Sequence, residues 1–544
     1  MPDLSLILVA LLWAVETASR IYRLARFYQI DEYKSNRFAR WWLSKRDRII
    51  PGRSLLIVIG TAAPAFIFSE GGAFLPTVIW IAGTLAATYA PPDREVKKKF
   101  VATPRARRIL AAAWVILFVA LSISVFSVSA GVQSSRFSLS LSALLGYCAY
   151  LLAPLWLMLG NIAMTPVEAA YRRAYIRRAR AIMTRINPTV IGITGSYGKT
   201  TTKVFIADLL NARYHAYATP KSFNTMMGIT RAINTDLADN YAIDYFIVEM
   251  GAYFPGEIKR IAGLTPPHIG VEIEVGPQHL ERFKTLERTA AAKYEVIESL
   301  PPDGVGIFNW DNPYVRAMSE RGYPATRIAV SRTVDPAAAP PDVRFVATNE
   351  SETLDGLAFT VHDTRTGQSE AFAVPLYGLH NITNLLLAIA VCAHEGMTLR
   401  ELALRARALR PAESRLVKQT TAQGITILND AYSANPVGAL SALHTLALHT
   451  NGRRVLITPG MIELGELHAA ENRKLGIAAA GSATDILLVG RDQTAPIAEG
   501  VRATPFDPSR LHVFDTLTEA VMWTQSNLAP GDTVLYLNDL PDTY

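Results

Sequence analysis

The seven residues Gly195-Ser196-Tyr197-Gly198-Lys199-Thr200-Thr201 have the types and order of a phosphate cradle. A β-branched run, Thr189–Thr194, precedes them, and a helical run, Lys203–Leu210, follows. In that setting glycines let backbone N–H groups approach phosphate oxygens, and the helix N-terminus adds positive potential. Lys199 would meet the β- and γ-phosphates and Thr200 a Mg2+ ion. The general form of this loop has its first glycine at position 193; here Gly192 and Gly195 flank Ile193. Glu249 ends the apolar strand Tyr245–Val248, a place where active-site residues of open α/β sheets gather. A carboxylate there can bind Mg2+ directly or through water. His279 follows a Gly-Pro turn, Lys293 lies in the helical stretch Thr289–Leu300, and Asp430 follows the strand Ile425–Leu428. Taken alone, these last three read as readily as a structural histidine, a solvated lysine and a turn aspartate.

The elements that must position these side chains alternate strand and helix, as in a mostly parallel sheet covered by helices. Residues 187–410 read as one such ATP-binding domain. Phe345–Thr348, Leu357–His362 and Ala371–Leu376 read as an antiparallel insertion in it, and Asp335–Asp342 as a loop. Residues 411–544 read as a second, Rossmann-like α/β domain with strands near Ile425–Leu428, Arg454–Thr458, Ile486–Val489 and Thr533–Leu537.

The first third of the 544 residues is different. Half of the whole chain is hydrophobic and only 19% is charged, which excludes disordered and fibrous classes. Residues 1–186 hold 24 Lys and Arg against 9 Asp and Glu, whereas the rest hold 30 against 38. The basic third also carries five apolar stretches: Leu4–Ala18, Leu55–Phe68, Ala73–Ala90, Ile109–Val132 and Leu139–Ile162. A bilayer core needs ~20 apolar residues as helix. The connections alternate between basic ones (Arg20 to Arg53, Arg94 to Arg108, Arg172 to Arg185) and nearly uncharged ones (Ser69–Gly72, and a fourth–fifth connection with only Arg136). That pattern predicts five membrane helices with everything after residue 163 in the cytoplasm. A membrane accounts for the positive charge without nucleic acid. Pro166–Arg185 reads as a basic juxtamembrane helix whose arginines could meet anionic headgroups. The two cysteines, Cys148 and Cys392, cannot form a cysteine-rich zinc site.

The short form of the phosphate loop resembles the ATP loop of the Mur ligases, and further matches follow in the same order. They are Asn224-Thr225-Met226-Met227-Gly228, Val248-Glu249-Met250-Gly251-Ala252, Gly276-Pro277-Gln278-His279-Leu280-Glu281, Ala292-Lys293-Tyr294-Glu295, Asn309-Trp310-Asp311 and Gly378-Leu379-His380-Asn381-Ile382-Thr383-Asn384. Arg415, the segment Asn429 to Pro436 and the segment Gly460 to Gly465 most resemble the D-alanyl-D-alanine-adding branch of that family. The resemblance covers residues 187 to about 537. It implies nucleotide contacts from Gly195, Ser196, Gly198, Lys199, Thr200, Thr201, Asn309, His380, Asn381, Asn384 and Asp430, with the asparagines reading adenine. It implies metal ligands at Thr200, Glu249 and His279, and at Lys293 as a carbamate formed with CO2. It also implies catalytic roles for Lys199, Lys293 and Arg415, the last offsetting charge on the transferring phosphate.

Three departures bear on substrate. Membrane helices stand where the family has its UDP-binding domain. After the strand Thr533–Leu537 come Asn538, Asp539 and Leu540, not the family's Lys-Gly-Ser-Arg-like segment, and Ser433 replaces a usual asparagine. The resemblance implies ATP- and Mg2+-dependent amide formation at the cell membrane. The partners would be a UDP- or lipid-linked cell-wall precursor, an amino acid or dipeptide, and membrane lipids. A ligase making a poly-γ-glutamate-like capsule is the alternative of the same chemistry. A P-loop ATPase that drives transport or regulates a membrane partner is the alternative of another class; transport predicts charges inside the apolar stretches, where Glu16 is nearly alone.

Overall fold

A computed structural model of the chain describes residues 4–68, 73–89, 100–132, 135–278, 280–432, 435–462 and 464–538, apart from the side chains of residues 135, 136 and 281. The chain forms two compact units, divided between Ala174 and Tyr175.

The first unit is helical. Leu4–Ile30 and Pro104–Gly131, 27 and 28 residues long, are long and apolar enough to cross a membrane. The apolar stretch expected to be one helix at Leu139–Ile162 is two, Ser135–Leu151 and Ala153–Ile186, bent by 65°. Pro154 explains the break: it has no N–H to donate, and its ring clashes with the carbonyl four residues earlier. The freed carbonyls are taken up by side chains, Tyr150 O by Arg20 Nη1 at 2.8 Å and Ala149 O by Trp156 Nε1 at 2.9 Å. Counted as one bent span, the pair makes a third candidate crossing among the described residues. The second and third apolar stretches form helices of only 14 and 15 residues, Ser54–Ile67 and Phe74–Thr88, below the ~17–25 usual for a span. Small residues let these helices approach closely: a Cβ on Gly146 would meet Trp13 Cγ at 2.4 Å, and one on Gly160 would meet Ile109 O at 2.7 Å. Leu8, Leu11, Val15, Val115, Phe118 and Phe126 are exposed on the two long helices.

The helix Ala153–Ile186 ends in the second unit, where Ala179, Ile182 and Met183 join its core. That unit holds two sheets. The first has nine strands: β1 (Thr189–Thr194), β2 (Ala216–Ala218), β3 (Tyr245–Glu249), β4 (Ile269–Glu272), β5 (Val305–Asn309), β6 (Thr326–Ser331), β7 (Val343–Thr353), β8 (Gly356–Asp363) and β9 (Ser369–Val374). Their order is β2-β3-β1-β4-β5-β6-β7-β8-β9. Pairing is parallel from β2 to β7 and antiparallel from β7 to β9, so the insertion expected from sequence extends the sheet. Near-continuous apolar strands are buried on both faces, as parallel sheets require. Ile191, Ile193, Ile247 and Val271 face the helices Lys199–Leu210 and His380–His394. Val190, Phe246, Val248 and Phe308 face the helices Met226–Asp236 and Leu286–Glu298.

The second sheet has six strands: β10 (Val417–Thr420), β11 (Thr426–Asp430), β12 (Arg454–Thr458), β13 (Asp485–Val489), β14 (Leu511–Phe514) and β15 (Thr533–Leu537), in the order β10-β11-β15-β12-β13-β14. All pairs are parallel except β10 with β11. The edge strands β10 and β14 were not foreseen: Val-Lys-Gln-Thr and Leu-His-Val-Phe are too short to show a period.

The two sheets meet at the tip of the β7–β8 hairpin. Leu354 O in its turn accepts Tyr377 Oη at 2.9 Å and Lys418 Nζ at 2.8 Å. Glu352 Oε1 accepts Gly378 N at 2.9 Å and Thr445 Oγ1 at 2.6 Å.

Candidate active site

In the first sheet β1 lies between β3 and β4, where the chain switches from building one side of the sheet to the other. The carboxyl ends of strands at such a point form a ligand crevice. The phosphate loop leaves β1 there and runs into the helix Lys199–Leu210. Gly198 is its N-cap with φ +79°, and an added Cβ would lie 2.3 Å from Asn384 Oδ1. Only glycine suits both conditions. Ser196 clamps the loop to the segment after β4: its Oγ donates to Gly276 O at 3.1 Å and accepts Gly276 N at 3.0 Å. Lys199 Nζ folds back on the loop carbonyls of Gly195 (2.6 Å) and Ser196 (3.1 Å). Burial lowers the Lys199 ammonium to about 8, against the pull of Glu249; Arg415 lowers it further.

Beside the loop, Thr200 Oγ1 donates to Glu249 Oε2 at 2.9 Å, and Asn224 Nδ2 to Oε1 at 3.2 Å. The third partner of Glu249 is Lys203, whose Nζ lies 3.2 Å from Oε2; both side chains are 2% exposed. Lys203 also donates to Lys221 O. Oxygen donors on a loop threonine and a strand-end carboxylate fit Mg2+, which commonly takes one or two carboxylates plus phosphate and water. Among the described residues no three His, Cys, Asp or Glu side chains gather in one place. His279 lies outside the described residues.

Register separates the two strand-end glutamates. Glu249 stands beside Ile193 and shares its face of the sheet. Glu272, the last residue of β4, stands beside Thr194 and faces the other way, toward the helix Leu286–Glu298 that carries Lys293. Lys293 is 4% exposed, so it is not the solvated lysine its helix alone suggested. Glu272 is 0% exposed. Burial holds the Glu272 carboxyl far above the usual range, against the pull of Lys293, and burial lowers Lys293. Glu274, two residues on, is pushed up to about 7, mainly by burial. It accepts Asn312 Nδ2 at 2.5 Å and Asn309 Nδ2 at 3.3 Å, and its backbone O accepts Ser196 N at 2.6 Å.

The asparagines expected at the nucleotide are used by the protein itself. Asn309 also donates to Ile273 O at 3.0 Å, and its Oδ1 accepts Asp311 N at 3.2 Å. Asn384 donates to Asn381 Oδ1 at 3.0 Å and accepts Thr202 Oγ1 at 3.2 Å; Asn381 donates to Tyr377 O at 2.7 Å. They hold the helix His380–His394 against the phosphate loop. His380 is partly buried, and burial with the nearby Arg332 and Arg415 lowers it to about 4, so it is neutral at physiological pH. Thr201 is buried in the first turn of the loop's helix.

Arg415 and Asp430 come from the second sheet's domain. Arg415 Nη1 donates to Tyr432 O at 2.5 Å and stacks over the Tyr432 ring at 4.4 Å. Tyr432 Oη in turn donates to Ser222 Oγ at 2.8 Å, across to the first sheet's domain. The Arg415 charge is felt at Lys199, and that of Glu249 at Arg415, which brings all three into one electrostatic group. Asp430 Oδ1 accepts Leu416 N at 3.1 Å. Burial raises the Asp430 carboxyl to about 6 against the pull of Arg415. Ser433 and residues 539–544, where the substrate-side departures fall, lie largely outside the described residues, which reach Asn538.

Sequence reasoning missed Lys203, Glu272 and Glu274. The signal was present in Val271-Glu272-Ile273-Glu274-Val275: a parallel strand buried on both faces has no solvent for a carboxylate.

Gly198→Ala should strain the left-handed backbone by about 1–2 kcal/mol and displace Asn384. The expected result is a KM for ATP raised about tenfold, since one lost charge-positioned contact is worth roughly 1.4 kcal/mol. Steady-state kinetics beside a thermal melt tests this, and an unchanged KM would show the loop tolerates the methyl. Asp430 gives a pH effect. Its folded value, about 6, lies above the unfolded 3.8, so its contribution to stability is complete below about 3.8 and is lost as pH rises through about 6. Asp430→Asn should therefore gain stability on the parent between pH 4 and 7, read as the difference in unfolding midpoint at each pH.

A phosphate loop at a sheet switch point, an adjoining oxygen-ligand set and a second α/β domain delivering an arginine define an ATP-using α/β enzyme. Residues 193–392 match the Mur ligase middle domain and residues 414–537 the Mur ligase glutamate ligase domain. The chain is 33% identical over 392 residues to UDP-N-acetylmuramoyl-tripeptide–D-alanyl-D-alanine ligase of Mycobacterium leprae, covering 68% of this chain and 74% of that one. It is 32% identical over 329 residues to the ligase of the same name from Escherichia coli, covering 60% and 69%. In fold it is similar to MurF from Acinetobacter baumannii (TM-score 0.57, 23% identity, 68% and 77% covered). It is equally similar to the MurF ligase from Thermotoga maritima in complex with ADP (TM-score 0.57, 21% identity, 68% and 80% covered). The chain belongs to the Mur ligase family. It is an ATP-dependent, amide-forming ligase that uses ATP and Mg2+, which decides against a transport ATPase.

Proposed function

We propose that the chain is a membrane-anchored ligase of peptidoglycan synthesis that joins a precursor's terminal carboxylate to an amine of the D-alanyl-D-alanine type. The observation that carries this reading is the 33% identity to a UDP-N-acetylmuramoyl-tripeptide–D-alanyl-D-alanine ligase across 74% of that enzyme's length. The two long apolar helices and the bent pair support the anchor. The working division is a membrane domain, 1–186, an ATP-binding domain, 187–410, and a C-terminal domain, 411–544.

In this reading the loop N–H groups from Gly195 to Thr201 and Lys199 hold the β- and γ-phosphates. Thr200 and Glu249 hold Mg2+, with His279 as a further ligand. The ion, when bound, offsets triphosphate charge. The precursor carboxylate oxygen attacks the γ-phosphorus, ADP departs, and an acyl phosphate remains. The amine then attacks the acyl carbon and inorganic phosphate leaves. Arg415 faces the charge that develops on the transferring phosphoryl group, and Asp430 faces the ribose or phosphates from the last domain. His380, Asn309, Asn381 and Asn384 shape the nucleotide cleft; their amides are engaged within the protein. Closure of the C-terminal domain excludes water, which would otherwise hydrolyse the acyl phosphate.

The test incubates the full-length protein with ATP, Mg2+, D-alanyl-D-alanine and either the UDP-linked muramoyl tripeptide or its lipid-linked form, with products read by mass spectrometry. One dipeptide added per ADP released, with either acceptor, is expected. A ladder of repeated additions would replace this reading with a polymer-forming ligase, and no product from either acceptor would overturn the substrate assignment. A reporter fused after residue 186 should be cytoplasmic; an external reporter would overturn the orientation.

A further inference from the structure

The first helix of the membrane unit, Leu4–Ile30, is followed by a turn and a short second helix, Ser35–Leu43. Three residues of that helix, three positions apart, meet the same two neighbouring residues of the first. Ser35 Oγ hydrogen-bonds Tyr28 Oη at 2.7 Å, the Phe38 ring lies 4.7 Å from the Tyr28 ring, and the Trp41 ring stacks on Phe27 at 4.4 Å. Six residues of helix advance about 9 Å. A helix running alongside Leu4–Ile30 would spread its contacts over a similar length, so Ser35–Leu43 lies across it. The turn before it is tied to two further helices: the Arg105 guanidinium lies 4.3 Å over the Tyr33 ring, and Asn161 Nδ2 donates to Tyr33 O at 3.3 Å. There the helices Pro104–Gly131 and Ala153–Ile186 pass between charged and apolar sequence, Ile109 following Arg108 in one and Ile162 preceding Glu168 in the other. A helix lying across a membrane helix at that level runs in the plane of the membrane surface. Its surroundings are one-sided in charge. Residues 35–53 hold six Lys and Arg against one Asp. The ion pairs nearby are made by other residues, Arg108 with Glu168 at 2.6 Å and Lys34 with Glu32 at 2.5 Å. Among the described residues Arg37, Arg40, Lys45 and Arg46 have no carboxylate partner. Leu43, at the helix end, is 60% exposed.

We propose that Ser35–Leu43 is an interfacial helix that rests on the inner membrane surface and binds the phosphate headgroups of anionic lipids through Arg37 and Arg40, with Lys45 and Arg46 just beyond its end. The proposal deepens the membrane-anchored reading above and rests on it. Interfacial helices combine aromatic rings, which settle at headgroup depth, with Lys and Arg that meet lipid phosphates. In this helix Phe38 and Trp41 are engaged by Tyr28 and Phe27, so the protein fixes its position and tilt before a lipid arrives. The guanidinium groups on its other sides are left to the lipid. Arginine suits that partner because its planar fork donates two parallel hydrogen bonds to a phosphate. The negative potential of an anionic inner leaflet complements the excess positive charge of residues 35–53.

The experiment reconstitutes the full-length protein in vesicles of phosphatidylcholine with phosphatidylglycerol. The fractions of spin-labelled phosphatidylglycerol and spin-labelled phosphatidylcholine held at the protein surface are then compared. The parent should prefer phosphatidylglycerol, and high salt should reduce the preference. Arg37→Gln with Arg40→Gln should lower it by about twofold or more: one basic residue near the surface is worth roughly a factor of five at its own contact, and the measurement averages over the whole perimeter. Arg473→Gln, an exposed position in the C-terminal domain, should leave it unchanged. The double variant should fold, since the side-chain hydrogen bond it removes, Arg40 Nε to Asn36 O at 3.4 Å, lies within the helix. A nitroxide on Leu43→Cys gives a second readout, in a Cys148→Ser background because Cys148 is an exposed thiol. Its relaxation by oxygen and by a water-soluble nickel complex should place the label at headgroup depth. In an inserted protein, a label as open to nickel as one in bulk water would overturn the proposal alone. So would a lipid preference that the double variant keeps in full. A protein that does not insert into the vesicles would overturn the anchor, and the proposal with it.

Discussion

Lys199→Ala should lower ATP turnover by about 10²–10³-fold, the usual cost of removing one preorganised charge from a developing anion. Its ammonium now rests on the carbonyls of Gly195 and Ser196, at 2.6 and 3.1 Å, inside the loop that would receive the phosphates. Burial has already weakened its hold on the proton, to about 8, so its charge is poorly solvated and gains by pairing with a phosphate oxygen. The truncated side chain leaves two loop carbonyls without that donor, a loss of about 1 kcal/mol each at most. The variant should therefore fold and melt near the parent. Phosphate release and a melting curve on the same preparation separate the two effects; release at the parent rate would remove Lys199 from the mechanism.

Glu249→Gln has a larger effect on stability, because it breaks a buried pair. Lys203 and Glu249 are both 2% exposed at 3.2 Å, and the remaining partner of Lys203 is the carbonyl of Lys221. Stranding a buried charge costs about 3–5 kcal/mol. The same substitution weakens the carboxylate that meets Thr200, so the apparent Mg2+ affinity should fall, and excess Mg2+ should restore part of the rate. Glu249→Leu with Lys203→Met should recover most of the stability and none of the activity. Equal melting temperatures for the parent and Glu249→Gln would show that Lys203 finds another partner.

How much was legible in the sequence depended on the range of the signal. The phosphate loop declares itself within about a dozen residues, because glycine conformation, the lysine and the helix start are local demands. The antiparallel extension was legible from alternation, and four of the six strands of the second sheet from apolar runs. The break at Pro154 was written in one residue, but the apolar run around it hid it: hydropathy registers composition, not the missing N–H. Lys203 was illegible for another reason. A lone charge in a helix usually faces water, and only the fold shows that this one meets Glu249. The amides of Asn309, Asn381 and Asn384 were placed in the right neighbourhood by resemblance, while their bonding partners required coordinates.

The hairpin tip between β7 and β8 has a kinetic consequence. Leu354, Glu352, Tyr377, Lys418 and Thr445 make a polar bearing between the two α/β domains, well away in sequence from the phosphate loop. Contacts of this sort are worth about 0.5–1.5 kcal/mol each against water. They hold the C-terminal domain without locking it, and the expectation is that release of ADP and product waits on this bearing. Turnover limited in that way slows as solvent viscosity rises, whereas turnover limited by chemistry does not.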